Sequence, residues 1–117
     1  MSVVRIVANL ESKSPKELAN FYQTIFDMKI VMDFDWITTC QATNTAPIQL
    51  SAASQGGSGT AVPNLSIEVD NLEEVLNRAI ANGVEIEYGP VDEPWGVRRF
   101  YIRDPANNLL NILSHKE

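Results

Sequence analysis

The side chains that most often carry chemistry are scarce in this sequence, which holds one histidine, His115, and one cysteine, Cys40. A 2-His-1-carboxylate iron centre or a His-containing zinc site cannot be assembled within one chain from a single histidine, so no metal and no other cofactor is expected. His115 lies close to the C-terminus, beyond the last expected strand, and reads as a solvated tail residue. Cys40 has no histidine near it in sequence and reads as a small buried hydrophobe, not a nucleophile. Glu68 and Tyr101 remain as candidates for metal-free catalysis, Glu68 as a general base. Trp36 and Trp95 offer flat apolar area and a cation-attracting face. Trp95 stands in a Pro94-Trp95-Gly96 loop with no helix or strand to pack it, which suits a pocket lid; Trp36, placed in the third strand, either contacts a ligand or is buried.

The elements that must position these residues occur in one order, twice. Val3 to Ala8 is β-rich, and Ser14-Pro15-Lys16-Glu17 then reads as a helix start with an S-x-x-E capping box. Leu18, Phe21, Tyr22 and Ile25 share one helical face, and the helix should end near Phe26. Strands are expected at Lys29 to Met32, Trp36 to Gln41 and Ile48 to Ala52, separated by Asp33 to Asp35 and by the turn-prone Asn44 to Pro47. Residues 54–60 are Gly/Ser-rich and read as a flexible connector. The second half opens on Asn64 to Val69, with Asp70 and Glu73 as the next capping box. A helix follows on Leu72, Val75, Leu76, Ala79 and Ile80, closed by Gly83. Its strands are expected at Val84 to Tyr88, Val97 to Arg103 and Leu109 to Leu113, the last two joined by the turn Asp104 to Asn108. Leu18, Phe21, Tyr22 and Ile25 superpose on Leu72, Val75, Leu76 and Ala79, which points to internal duplication.

Strand parity assigns faces. If Leu65, Ile67 and Val69 pack under the helices, Asn64, Ser66 and Glu68 point the other way. By the same rule Phe100, Ile102, Leu110 and Ile112 go to the core, while Arg99, Tyr101, Arg103, Leu109, Asn111 and Leu113 turn to the opposite side. A wall of mixed polar and apolar side chains results, which suits an organic molecule.

With 117 residues the chain is long enough for one domain and one core. A net charge of −6 argues against nucleic acid, which needs a basic footprint; an acidic surface favours a cationic partner or serves solubility. No apolar run approaches the roughly 20 residues that span a bilayer, and Met1 to Leu10 lacks the pattern of a secretory signal, so a soluble, cytoplasmic protein without membrane contact is expected. The lone cysteine fits a reducing compartment.

Several segments resemble the vicinal oxygen chelate superfamily, which includes glyoxalase I, extradiol dioxygenases, fosfomycin-resistance enzymes and bleomycin-resistance proteins. Phe21-Tyr22 before an apolar strand, Ile67-Glu68-Val69-Asp70-Asn71-Leu72, and Glu93-Pro94-Trp95-Gly96 carry the likeness, together with Phe100 to Pro105 and Asn108 to Leu113. Asn107 stands where that family usually has Gly. The resemblance implies an α+β fold of two βαβββ repeats, about 1–53 and 61–115 around the connector, forming a curled mixed sheet with helices on its convex face. It also implies metal-ligand positions at Arg5 or Val7, Gln49, Asn64 and Asn111, none of which is His, Asp or Glu. These are expected to converge on one face and to hold no transition metal.

The reading that follows is a metal-free protein of the bleomycin-resistance kind, which binds a small aromatic or cationic compound through Trp36, Gln49, Asn64, Trp95, Arg99, Tyr101 and Asn111. The alternative is an enzyme: a lyase or isomerase using Glu68 or Tyr101, or a divergent glyoxalase or dioxygenase relative. A small regulatory module is a third class. A homodimer is expected, since single chains of this kind and length usually pair and open sheet edges invite pairing.

Overall fold

The computed structural model describes residues 1–44, 46 and 48–116. Among the described residues two helices and eight strands follow one another in the order β-α-β-β-β, twice, with both parallel and antiparallel strand pairs, so the α+β class and the repeat are as expected. Residues Val7–Val62 make one compact unit, and Met1–Ile6 with the chain from Pro63 onward make a second. Strand β1 (Val3–Glu11) contributes its start to the latter and its end to the former.

In the unit Val7–Val62, helix α1 (Pro15–Phe26) is followed by β2 (Lys29–Phe34), β3 (Ile37–Gln41) and β4 (Gln49–Ala53). The order is β2-β3-β4-β1, antiparallel except where β4 runs parallel to β1, with Ala8 opposite Leu50. Ala19, Met28 and Cys40 form the core, with Tyr22, Ile30 and Leu50 packed around them. Pro15 opens α1 as expected, but the capping box is not made: Ser14 takes the N-cap position with no side-chain bond to the helix. Phe26 ends the helix, and Asp27 turns the chain in the left-handed region at φ 58°.

Asp33 was expected to separate strands and instead lies within β2, opposite Thr38, whose hydroxyl donates to it at 3.1 Å while Lys16 pairs with its other oxygen. The turn is thereby narrowed to Asp35 and Trp36, which moves Trp36 out of the third strand and onto the turn, stacked on Phe34. Of the expected turn from Asn44 to Pro47, Thr45 and Pro47 lie outside the described residues. The Gly/Ser connector is not a loose coil, since Gly56 N donates to Thr60 O at 2.8 Å and Thr60 N to Gly57 O at 3.0 Å, with Gly56 and Gly57 buried. Gly57, Ser58 and Gly59 all have positive φ, a run that only a glycine-rich segment adopts without strain.

The other unit contains β5 (Leu65–Val69), α2 (Leu72–Ala81), β6 (Tyr88–Asp92), β7 (Val97–Arg103) and β8 (Leu109–His115), in the sheet order β1-β5-β8-β7-β6. Val69, Leu72, Leu76, Phe100 and Ile112 form its core, joined by Ile67, Val75, Ile86, Ile102 and Leu110; Ile67, Val69, Phe100, Ile102, Leu110 and Ile112 are there as parity predicts. Each such side chain, fully buried, stabilises by roughly 1.5–3 kcal/mol. Asn71, not Asp70, caps α2, accepting from Glu74 N at 3.2 Å, because Asp70 is engaged by the backbone N–H of Ser2 at 2.7 Å. Strand β6 begins at Tyr88, four residues later than the expected Val84. Val84 N is still tied to Ala79 O at the end of the helix, and ladder pairing starts where Tyr88 meets Tyr101. Gly89, at φ +77°, lies so near β7 that a Cβ would stand 2.5 Å from Arg99 O.

The turn after β7 is built on Asp104, whose Oδ1 accepts from Ala106 N at 3.0 Å and Asn108 N at 2.9 Å, and whose Oδ2 accepts from the Asn108 side chain at 2.9 Å. The Asn108 bonds, side chain first, hold the Asp104 carboxyl below the usual aspartate range. A carboxyl depressed in the folded state contributes stability that is complete above its unfolded value and lost as pH falls through its folded value. Carbon-detected NMR titration should therefore find the Asp104 midpoint below that of an unfolded aspartate, and Asp104→Asn should remove this part of the acid dependence. A midpoint at or above the unfolded value would refute the three-bond turn.

Candidate functional site

In the unit from Pro63 onward, the side of the sheet opposite the α2 core carries its polar side chains in rows across four strands. Ser66 lies opposite Asn111, Asn111 opposite Tyr101, and Tyr101 opposite Tyr88. The adjoining row runs Glu68, Leu113, Arg99 and Val91.

Arg99 is the most enclosed large side chain on this face, at 2% exposure, and its partner Glu93 is at 3%. The guanidinium donates through Nε to Glu93 Oε2 at 2.7 Å and through Nη1 to Tyr101 Oη at 3.0 Å, while Nη2 stands 2.6 Å from the same carboxylate oxygen. Tyr88 Oη adds a bond to Glu93 at 3.0 Å. Three rings surround the cation, with centroids 5.0 Å away for Trp95, 5.0 Å for Tyr101 and 5.3 Å for Tyr88. This is the aromatic box that recognises an external guanidinium or ammonium, and the protein's own arginine fills it. Trp95 thus has a packing partner that its loop did not disclose. Glu93, absent from the sequence-derived site, was detectable only as a carboxylate beside an aromatic turn.

The amides at the family's ligand positions are bound into the protein. Asn64 Oδ1 accepts from Leu109 N at 2.9 Å, and Asn111 Nδ2 donates to Ser66 Oγ at 3.1 Å. Gln49, in the other unit, donates to Gln41 Oε1 at 2.6 Å. Arg5 faces Glu68, its Nε 3.0 Å from Oε1, and Val7 is buried. Among the described residues no group of three or more His, Cys, Asp or Glu side chains could hold a metal ion. Neutral amides with no cluster of anionic or imidazole ligands to join do not fit the ion that the fold family would supply.

Asn111 is 8% exposed, and its Oδ1 is buried with no hydrogen-bond partner among the described residues. Tyr101, at 2% exposure, is sealed by Arg99 and presents no hydroxyl to solvent. Cys40 is buried against Ala19 O, and burial pushes its thiol pKa up, as an inert core residue requires. His115 is not a frayed tail: β8 extends through it, and its Nδ1 stands 2.6 Å from Glu68 Oε2. In the unit Val7–Val62, a separate apolar cleft of about 380 Å³ is lined by Tyr22, Phe26, Met28, Ile48 and Leu50.

Removing one member of the buried pair leaves the other charge without its counterion. Glu93→Gln should lower the unfolding free energy by about 3 kcal/mol in urea titrations, whereas Arg99→Met combined with Glu93→Leu should recover most of that loss. A double variant as unstable as Glu93→Gln would mean that the box needs the cation itself.

Residues 7–112 match the model of the Glyoxalase/Bleomycin resistance protein/Dioxygenase superfamily. No curated protein gives a significant match. Among solved structures, a protein from Legionella pneumophila described as an NAD-dependent benzaldehyde dehydrogenase superposes with a TM-score of 0.78 at 18% identity, covering 96% of this chain and 100% of that one. A superfamily member from Vibrio splendidus 12B01 gives 0.62 at 13%, covering 94% and 97%. Methylmalonyl-CoA epimerase from Mycobacterium tuberculosis gives 0.68 at 17%, covering 98% and 90%. At these identities the likeness is one of fold. With most of its length inside the family match, the chain belongs to the Glyoxalase/Bleomycin resistance protein/Dioxygenase superfamily.

Proposed function

We propose that this chain binds a small organic molecule, without a resident metal, on the polar face of the unit from Pro63 onward. The observation that carries the reading is the buried, unpartnered carbonyl oxygen of Asn111, set in a row with Ser66, Tyr101 and Tyr88. An unsatisfied buried acceptor costs about 1–3 kcal/mol, which a ligand N–H or O–H would offset. Trp95, half-buried beside Arg99, supplies aromatic surface at the same face. Because Arg99 already fills the box, the favoured ligand is a flat, hydrogen-bond-donating aromatic compound and not a cation. Gln49 and Trp36 belong to the other unit and are not needed by this reading.

Binding should quench tryptophan fluorescence and raise the melting temperature. Trp95→Ala should weaken binding by about 1 kcal/mol, roughly fivefold, as loss of an aromatic pair does, and Asn111→Leu should weaken donor-bearing ligands more than their methylated analogues. A broad screen of aromatic donors, bleomycin-like drugs included, with no saturable quenching and no thermal shift would sink the proposal.

The homodimer is proposed with it, supported by exposed Val3, Val4 and Ile6 on β1, an apolar stretch that pairing would cover. Light scattering at micromolar concentration should give about twice the 13.0 kDa chain mass, and a stable monomer would end the proposal.

A further inference from the structure

The only histidine of the chain is held in an arrangement that neither the fold family's ligand positions nor the binding face requires. Strands β5 and β8 run parallel, with Glu68 opposite Leu113, and β8 continues two residues further to His115. The imidazole Nδ1 stands 2.6 Å from Glu68 Oε2, and Arg5 Nε lies 3.0 Å from Glu68 Oε1. Glu68 is 17% exposed, whereas His115 is 55% exposed. A carboxylate that receives the Nδ1 proton selects the tautomer in which Nε2 carries the lone pair, and Nε2 lies on the ring edge away from Glu68. Arg5 steadies the carboxylate from its other side. Near this end of β8, Lys116 is paired with Asp92 at 2.9 Å and Arg98 with Glu73 at 3.0 Å.

An aromatic surface lies beside this pair. His115 is opposite Val97 in the β7–β8 ladder, and Lys116 N donates to Gly96 O at 2.9 Å, which brings the Pro94-Trp95-Gly96 turn against the end of β8. Val97 alternates with Arg99 on β7, so His115 and the ring over Arg99 share one side of the sheet.

We propose that His115, oriented by Glu68, is a general base that activates water against aryl esters seated on Trp95. In the first step Nε2 takes a proton from water as the water oxygen bonds to the acyl carbon and the carbonyl π pair moves to oxygen. In the second the carbonyl re-forms, the bond from the acyl carbon to the aryl oxygen breaks, and the proton on Nε2 passes to the departing aryloxide. The products are a carboxylic acid and a phenol, and no oxidant or further reactant is consumed. Glu68 is a positioning residue, since it acts only through the imidazole. The proposal shares Trp95 with the binding reading and is independent of Asn111.

The test is release of 4-nitrophenol from 4-nitrophenyl acetate by the full chain, compared with free imidazole at the same concentration. The chain should exceed imidazole by about 100-fold or more, and turnover should slow in heavy water. His115→Asn keeps a side-chain N–H for Glu68 but has no Nε2, so it should fold normally by circular dichroism and lose about 100-fold in rate. Glu68→Gln should lower kcat with little change in KM; His115→Ala serves as a second check if the Gln variant is unstable. A wild-type rate no better than imidazole, a His115→Asn variant as fast as wild type, or an accumulating acetylated His115 in the mass spectrum would each overturn the proposal. Quenching by aromatic donors without His115-dependent hydrolysis would defeat this inference alone, and hydrolysis without quenching would defeat the binding reading alone.

Discussion

A guanidinium withdrawn from water has to be neutralised and hydrogen-bonded where it lies, and in the unit from Pro63 onward that requirement governs everything around Arg99. Glu93 supplies the charge, Tyr88 and Tyr101 supply hydroxyls, and Trp95 closes the top. The four partners come from β6, from the turn after it and from β7 itself, so the ion pair ties the strands of that hairpin together on the side opposite the apolar core. Breaking such a pair is costly even where forming it gains little, which makes the hairpin specific more than it makes it stable.

The two repeats share an order of elements and differ in what fills them. The unit Val7–Val62 closes over small residues, Ala19 and Cys40 with Met28, and leaves Phe21, Ile25 and Phe26 of α1 exposed. The second repeat buries Leu72, Leu76, Phe100, Val69 and Ile112 together. The two halves therefore share the path of the chain and differ in packing, and among the described residues the buried ion pair lies in the second.

Where alternation was strong, the sequence was readable. Strand β7 begins and ends where its pattern says, because Phe100 and Ile102 alternate with Arg99 and Tyr101 over a real core. What the sequence hid was decided by partners far away in the chain. Asp70 fits a capping box, yet the N–H of Ser2 takes its carboxylate and Asn71 caps α2 instead. The strand expected at Val84 to Tyr88 instead begins at Tyr88, where β7 passes so close to Gly89 that a Cβ would not fit. The polar run Ser114-His115 reads as a tail, yet the length of β7 gives it ladder partners in Arg98 and Val97. The amides at the ligand positions were visible as residue types; their bonds to Leu109, Ser66 and Gln41 were not.

Those bonds bear on what the polar face can recognise. For Asn64 to serve a divalent cation, an oxygen already accepting from Leu109 N would have to be shared, and Asn111 could add only a neutral amide oxygen, with no cluster of His, Cys, Asp or Glu side chains among the described residues to complete the site. The charges that lie on this side are paired with one another, Arg99 with Glu93, Glu68 with Arg5 and Arg103 with Glu87. A ligand approaching this face therefore meets hydrogen-bonding groups and ring edges more than a field of one sign. The acidity of the whole chain suggested a cation, but the local arrangement turns selection toward shape and toward a donor for Asn111 Oδ1, a buried acceptor with no hydrogen-bond partner among the described residues.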